Sequence, residues 1–200
     1  MQRARSTSLL LDAAARAIQG HGIKGTTVDA IQRYSGLSRG MIKQRFGSKD
    51  ALIWAVAEKM MQEYTDSWMR AFQGQHASAG EKLAALFKAD LSENVLNERN
   101  VAIWFAFRSE VASTHKYRQL IEAGDAQFQS AIKELCDELA VDEHTATLAA
   151  MSLSAILEGL WTKYLLEGPQ FNRDKAYQAC CETARGFFPG CILMCKSDVY

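Results

Sequence analysis

Between residues 38 and 49 the segment SRGMIKQRFGSK packs Arg39, Lys43, Gln44, Arg45 and Lys49 into a short span. Guanidinium, ammonium and carboxamide groups are the donors that match phosphate oxygens and the acceptor edges of bases in a DNA groove. A buried helix does not tolerate so many charges on one short face. The span therefore reads as a solvent-facing helix capped by Ser38, with Ile42 and Phe46 turned inward.

A second short helix must precede it. Thr27 has the side chain of an N-cap, and Val28 and Ile31 put apolar groups on one face. Gly36 supplies the permissive backbone for a sharp turn, and Leu37 is an apolar plug beside it. Together these elements are a helix-turn-helix whose second member enters the major groove of double-stranded DNA. Thr27 and Lys49 flank the reading helix at helix N-termini, where hydroxyl, ammonium and backbone N–H groups meet phosphate.

At these residues the chain resembles the TetR/AcrR family of bacterial transcriptional regulators. The shared pattern is Thr27-Val28, the turn Ser35-Gly36-Leu37-Ser38, then Gly40, Phe46 and Lys49. The resemblance implies a regulator, most often a repressor, that binds a palindromic operator as a homodimer. The DNA-contact set it supports is Thr27, Ser38, Arg39, Gly40, Lys43, Gln44, Arg45 and Lys49. Lys43 and Arg45 depart from the family, which usually has aromatic residues there, so the reading helix is more basic than its relatives'.

The charge distribution agrees with an anionic partner at one end. The formal net charge is zero, yet residues 1–50 hold nine Lys/Arg against Asp12, Asp29 and Asp50. The remainder carries the balancing acidic excess. With nearly half the residues apolar and only two prolines in 200, the chain is expected to be all-α, with about nine helices. Residues 1–48 are expected to form a three-helix DNA-binding domain. Residues 49–200 are expected to form a larger helical domain for effector binding and dimerisation.

Other chemistries find little support. His21, His76, His115 and His144 are scattered, without a nucleophile signature near them, so no catalytic residues and no enzyme are expected. The five cysteines show no metal-ligand spacing, so no metal site or cofactor is expected. Without a signal peptide they read as core or incidental thiols, with Cys191 and Cys195 sharing a face if the tail is helical. No apolar run reaches the roughly 20 residues of a membrane span, and a cytoplasmic location is expected.

Helix signals divide the rest of the chain. A first helix is expected from about Ser6 to Gly20, capped by Ser6 or Thr7, with Leu10, Ala14, Ala17 and Ile18 as its stripe and Arg3 and Arg5 preceding it as a basic arm. A fourth starts at Ser48 and continues to around Phe72. Further helices are expected near 80–95, 99–113, 116–140, 143–167 and 173–187, with Asp142 and Asn172 as caps and Gly168-Pro169 as a stop.

Two segments dominate the second domain, Asn100 to Glu110 and Ala149 to Gly168. The latter is apolar nearly all round, and its small residues permit close approach of a second helix. Met151, Ser154, Ala155 and Gly159 are the candidate dimer contacts. Both segments are similar to the choline-responsive subgroup of the same family, through Trp104-Phe105-Ala106-Phe107, Glu158-Gly159-Leu160-Trp161 and Tyr117-Arg118. That resemblance implies an aromatic cage for a small-molecule effector, choline or another quaternary ammonium compound. Trp104, Phe107, Trp161 and Tyr164 supply the rings, and Glu110 or Glu158 the counter-charge. Arg108, where the relatives have another aromatic residue, favours instead an anionic metabolite. A third alternative is an architectural DNA-binding protein with no effector.

Overall fold

The computed structural model describes residues 2–190. Among them are nine α-helices and no strand: α1 (Gln2–Gly25), α2 (Val28–Ser35), α3 (Arg39–Phe46), α4 (Lys49–Phe72), α5 (Ala79–Asp90), α6 (Glu98–Ser109), α7 (His115–Leu139), α8 (Glu143–Glu167) and α9 (Arg173–Phe187). A 3-10 turn, Gly168–Gln170, joins the last two. The chain divides into two compact units, Met1–Glu63 with Arg99–Ile121, and Tyr64–Glu98 with Glu122–Tyr200. No described helix is long and apolar enough to cross a membrane.

In the first unit α1 starts earlier than expected. Ser6 and Thr7 do not cap it; their hydroxyls donate back to the Arg3 carbonyl at 2.9 and 3.0 Å, a bond that Ser and Thr make inside a helix. Arg3 and Arg5 therefore stand on the helix rather than on an arm before it. The expected stop at His21-Gly22 is a kink. Gly22 takes φ 67°, ψ 179°, which glycine alone adopts without strain, and a further turn follows. The expected apolar stripe of Leu10, Ala14, Ala17 and Ile18 is buried, together with Ile31 of α2, Ile42 of α3 and Leu52 of α4.

The turn between α2 and α3 follows its sequence signals. Thr27 Oγ1 accepts the Ala30 N–H at 3.1 Å, a cap whose loss costs about 1 kcal/mol. Gly36 sits at φ 70° and closes α2 through its N–H to the Gln32 carbonyl at 2.9 Å. Ser38 has the extended backbone of a cap, but its hydroxyl makes no capping bond. Two residues, Gly47 and Ser48, separate α3 from α4, with Ser48 Oγ accepting the Ala51 N–H at 3.0 Å.

The second unit holds α5, α8, α9, the C-terminal part of α4 and most of α7. Asp142 and Asn172 cap α8 and α9 as expected, accepting from Thr145 and Lys175 N–H groups at 2.8 and 2.9 Å. α5 stops at Asp90 instead of running on to 95. The Arg173 guanidinium takes the Leu91 and Leu96 carbonyls, at 2.8 and 2.6 Å, so the backbone there is satisfied by a side chain instead of a helix. α6 likewise ends at Ser109, short of the expected 113, where Glu110 N–H and Val111 N–H turn back onto Phe107 and Arg108 carbonyls.

Candidate DNA-reading face and effector site

α3 presents its donors in three different states. Lys43 and Gln44 are exposed and make no bond among the described residues. Arg39 is exposed but pairs with Asp29 on the first turn of α2, so a carboxylate holds its guanidinium beside the turn. Arg45 is half-buried, and its Nε donates to Ser6 Oγ at 3.0 Å, bracing α3 against α1. Lys43, Gln44 and Arg39 thus face solvent on α3, while Arg45 holds the helix in place.

The flanking residues are tethered too. Lys49 Nζ donates to the Thr26 carbonyl at 3.0 Å, and Asp50 Oδ1 lies 3.9 Å from it. Thr27 is exposed with its oxygen committed to the cap. Gly40 lies exposed in the first turn of α3, and a Cβ there would meet only Ser38 Oγ at 3.8 Å. Tyr34, off the buried stripe of α2, is 43% exposed, and sequence reasoning passed over it.

The same unit contains Trp104, Phe107, Arg108 and Glu110. The Arg108 guanidinium stands 5.2 Å from the Trp104 ring centroid, so a cation already covers one face of that ring. Glu110 pairs with Lys24 at the end of α1, 3.2 Å away. At the opposite end of α6, Arg99 pairs with Asp12 of α1 at 3.3 Å. Trp104 and Phe107 line an apolar cavity of about 10 Å³ with Met60, Met61 and Tyr117, about the space of one water and far below that of a metabolite. Tyr117 stacks on Trp54 and packs on Phe107, with centroids 5.8 and 5.1 Å apart. Burial, then the charges of Asp50 and Glu110, push its phenol above the ordinary range.

Glu158, Trp161 and Tyr164 belong to the second unit. Glu158 is exposed on α8. Tyr164 packs on Phe171 at 5.4 Å and lies under the Arg173 guanidinium at 5.3 Å. Trp161 turns inward, 9% exposed, and its indole N–H donates to Asp90 Oδ2 at 3.0 Å. Asp90 Oδ1 accepts the Tyr64 hydroxyl at 2.9 Å. Asp90 is 1% exposed, and burial pushes its carboxyl from 3.8 up to about 6 against the pull of these two bonds. Tyr64 meets Trp161 edge-on at 5.9 Å and Phe128 at 5.8 Å, and Phe128 meets Trp68 at 5.5 Å.

Asp90, Tyr64, Trp68 and Phe128 were not among the sequence candidates. One signal was available: an acid in the last turn of a helix opposes the dipole, so Asp90 has a reason to be there other than helix stability. Cys136 and Cys180 are free, buried thiols pushed up to about 12, chiefly by burial. Cys181 is disulfide-bonded, against the expectation of thiols throughout. Cys191 and Cys195 lie outside the described residues. No group of three metal-binding side chains occurs among the described residues.

Comparison with known proteins agrees with the all-helical fold. Residues 10–56 match the bacterial regulatory proteins of the tetR family, and residues 79–189 match the BetI-type transcriptional repressor C-terminal domain. The HTH-type transcriptional regulator BetI of Stenotrophomonas maltophilia is 28% identical over 169 residues, 84% of this chain and 85% of the relative. BetI of Paraburkholderia xenovorans is 27% identical over the same shares. A transcriptional regulator structure from Pseudomonas aeruginosa PAO1 superimposes with a TM-score of 0.80 at 26% identity, covering 92% of this chain and 90% of that one. A regulator from Saccharomonospora viridis, solved in complex with choline, gives 0.77 at 19% identity, covering 90% and 95%.

Proposed function

The chain belongs to the TetR family of transcriptional regulators, with a BetI-type C-terminal domain, and from that premise we propose that it is a dimeric repressor released from its operator by a small organic cation such as choline. Residues 1–48 would bind DNA, and residues 49–200 would bind effector and dimerise. The observation that carries the DNA half is the pair Lys43 and Gln44, exposed and unengaged on a short helix braced from behind by the Arg45–Ser6 bond. The effector half is supported by the choline bound in one structural neighbour, and by a buried carboxylate, Asp90, bonded only to the neutral donors Tyr64 and Trp161 in the second unit.

Dimerisation is supported by α8. Leu148, Met151, Ala155, Gly159, Thr162 and Leu166 are exposed at spacings of three and four along one line of the helix. Met151 is 66% and Leu166 81% exposed. An apolar line with small residues at its middle suits a second helix packed close. The two α3 helices of such a dimer would stand roughly 34–36 Å apart, one turn of DNA. α4 follows α3 through Gly47-Ser48 alone, so a shift of α4 on effector binding re-aims the reading helix. A coupling of roughly 1–3 kcal/mol weakens operator binding by roughly 5–150-fold.

The test is a gel shift on the DNA flanking the chain's own gene. One saturable complex, weakened at least fivefold by millimolar choline, supports the reading. DNA binding that no choline concentration alters would leave the regulator without this effector. A second reading, an anionic metabolite held by Arg108, has the half-buried guanidinium over Trp104 in its favour. Release by a small carboxylate, lost in Arg108→Ala, is its signature.

A further inference from the structure

We propose that the effector's cationic head is seated by Asp90 and the rings of Tyr64, Trp161, Phe128 and Trp68, and that the Trp68 indole N–H takes an oxygen on the same ligand. The inference rests on the organic-cation reading above and assigns it a site within one compact unit.

Three observations carry it. Asp90 is a buried carboxylate whose bonds are both to neutral donors, Tyr64 O–H and Trp161 N–H, and no cation pairs with it among the described residues. A buried carboxylate without a counter-charge is costly, and a cation entering its surroundings removes that cost. Tyr64 and Trp161, which bond the carboxylate, belong to a run of four rings, Trp161, Tyr64, Phe128 and Trp68, linked at centroid distances of 5.5 to 5.9 Å, the kind of surface that attracts a desolvated cation. The Trp68 indole nitrogen is a buried donor with no partner, in a residue 3% exposed. Native proteins rarely leave such a donor unpaired, and an acceptor on a ligand would satisfy it.

These features also select among cations. Each Asp90 oxygen already accepts one bond, so the carboxylate offers charge more than acceptor capacity. A quaternary ammonium, which has methyl groups instead of N–H donors, fits that charge and the ring faces. A primary ammonium would need acceptors for three N–H groups and finds fewer here. The Trp68 donor asks for an oxygen on the same ligand as the charged nitrogen, as in an amino alcohol or amino aldehyde. Tyr64 and Trp68 stand four apart on α4, so opening the box for a ligand acts on the helix that leads from α3.

The experiment titrates the full-length protein with choline, with tetramethylammonium and with 3,3-dimethylbutan-1-ol, the uncharged carbon isostere of choline, by calorimetry. The wild type should bind choline at least tenfold more tightly than the isostere. Asp90→Asn should weaken choline at least tenfold and leave the isostere unchanged, with circular dichroism reporting its helical fold. Trp68→Phe keeps a ring but removes the N–H, so it should weaken choline severalfold more than it weakens tetramethylammonium. If Asp90→Asn does not fold, the wild type carries the test alone: choline affinity should fall as pH drops through about 6, where Asp90 takes up its proton. Among the described residues, Tyr64 and the Cys180 thiol are the titratable groups seen to interact with Asp90, and the thiol stays protonated throughout, its pKa being pushed up to about 12. Choline binding within twofold of wild type in folded Asp90→Asn, or independent of pH between 5 and 8, overturns the site while the organic-cation reading stands. A wild type that binds neither choline nor tetramethylammonium at millimolar concentration overturns that reading and the site with it.

Discussion

The Trp161 indole N–H donates to Asp90 Oδ2 at 3.0 Å, although 71 residues separate the two in sequence. The bond joins the last turn of α5 to the inward face of α8 and places a charge where the surrounding side chains are aromatic. A neutral donor can orient a carboxylate without neutralising it, and that has a consequence for stability.

Asp90 should make the protein less stable as pH rises. Its carboxyl is pushed from 3.8 up to about 6 in the folded chain, so the fold prefers the protonated form. The contribution is fully present below about 3.8 and lost as pH rises through about 6. Its full span is about 3 kcal/mol, an upper figure for one buried group. Melting temperatures of wild type and Asp90→Asn, compared between pH 5 and 8, should diverge in favour of the variant as pH rises. Parallel curves would mean that Asp90 does not titrate there.

Lys43 and Arg45 should separate reading from bracing. Lys43→Ala removes an exposed, unengaged ammonium, so operator affinity should fall about tenfold with the melting temperature unchanged. Arg45→Ala also breaks the bond to Ser6 Oγ, and stability should drop by about 1 kcal/mol alongside affinity. Wild-type affinity in Ala variants of Arg39, Lys43 and Gln44 alike would remove α3 as the reading helix.

Lys49 should act on every DNA sequence alike. Its ammonium is held at the start of α2 by the Thr26 carbonyl, at 3.0 Å, which places it beside the helix N-termini suited to phosphate. Lys49→Ala should weaken specific and non-specific DNA equally and make the salt dependence shallower by about one counterion. A loss confined to one operator sequence would show contact with a base.

The parts of this molecule visible in the sequence are those fixed by local chemistry. Thr27, Asp142 and Asn172 cap helices because a short oxygen-bearing side chain satisfies a nearby N–H wherever the chain is placed. The bounds of α8 and α9 follow from such caps and from Gly168 at φ 55°. What escaped depends on partners far along the chain. α5 stops early because Arg173, more than 70 residues on, takes the carbonyls of Leu91 and Leu96. Trp161 stood out by its spacing, but its partner Asp90 was hidden, since with the helix expected to run to 95 the run FKADLSENV does not show that this acid stands in a last turn. Arg45 reads as one more basic residue until Ser6 is seen beneath it.

The dimer prediction turns on α8, the most apolar long helix of the chain, which leaves a line of apolar and small side chains uncovered. Met151 and Ala155 are both exposed on that line, and Ser154 beside them is half-buried. A charge at Met151 or Ala155 costs little in an isolated chain, because the side chain points to solvent, but it would be buried unpaired if a second α8 packs there. Met151→Glu and Ala155→Glu should therefore keep the wild-type helical content and melt within a few degrees of it. In sedimentation each should run as a monomer at micromolar concentration where the wild type runs as a dimer. Operator binding should fall by more than tenfold in both, because a single α3 holds one half-site only. The half-buried Ser154 should lose stability as well when changed to Glu, which sets it apart from its exposed neighbours. A wild type that sediments as a monomer would remove the dimer, and glutamate variants that remain dimeric would place the contact between copies elsewhere on the surface.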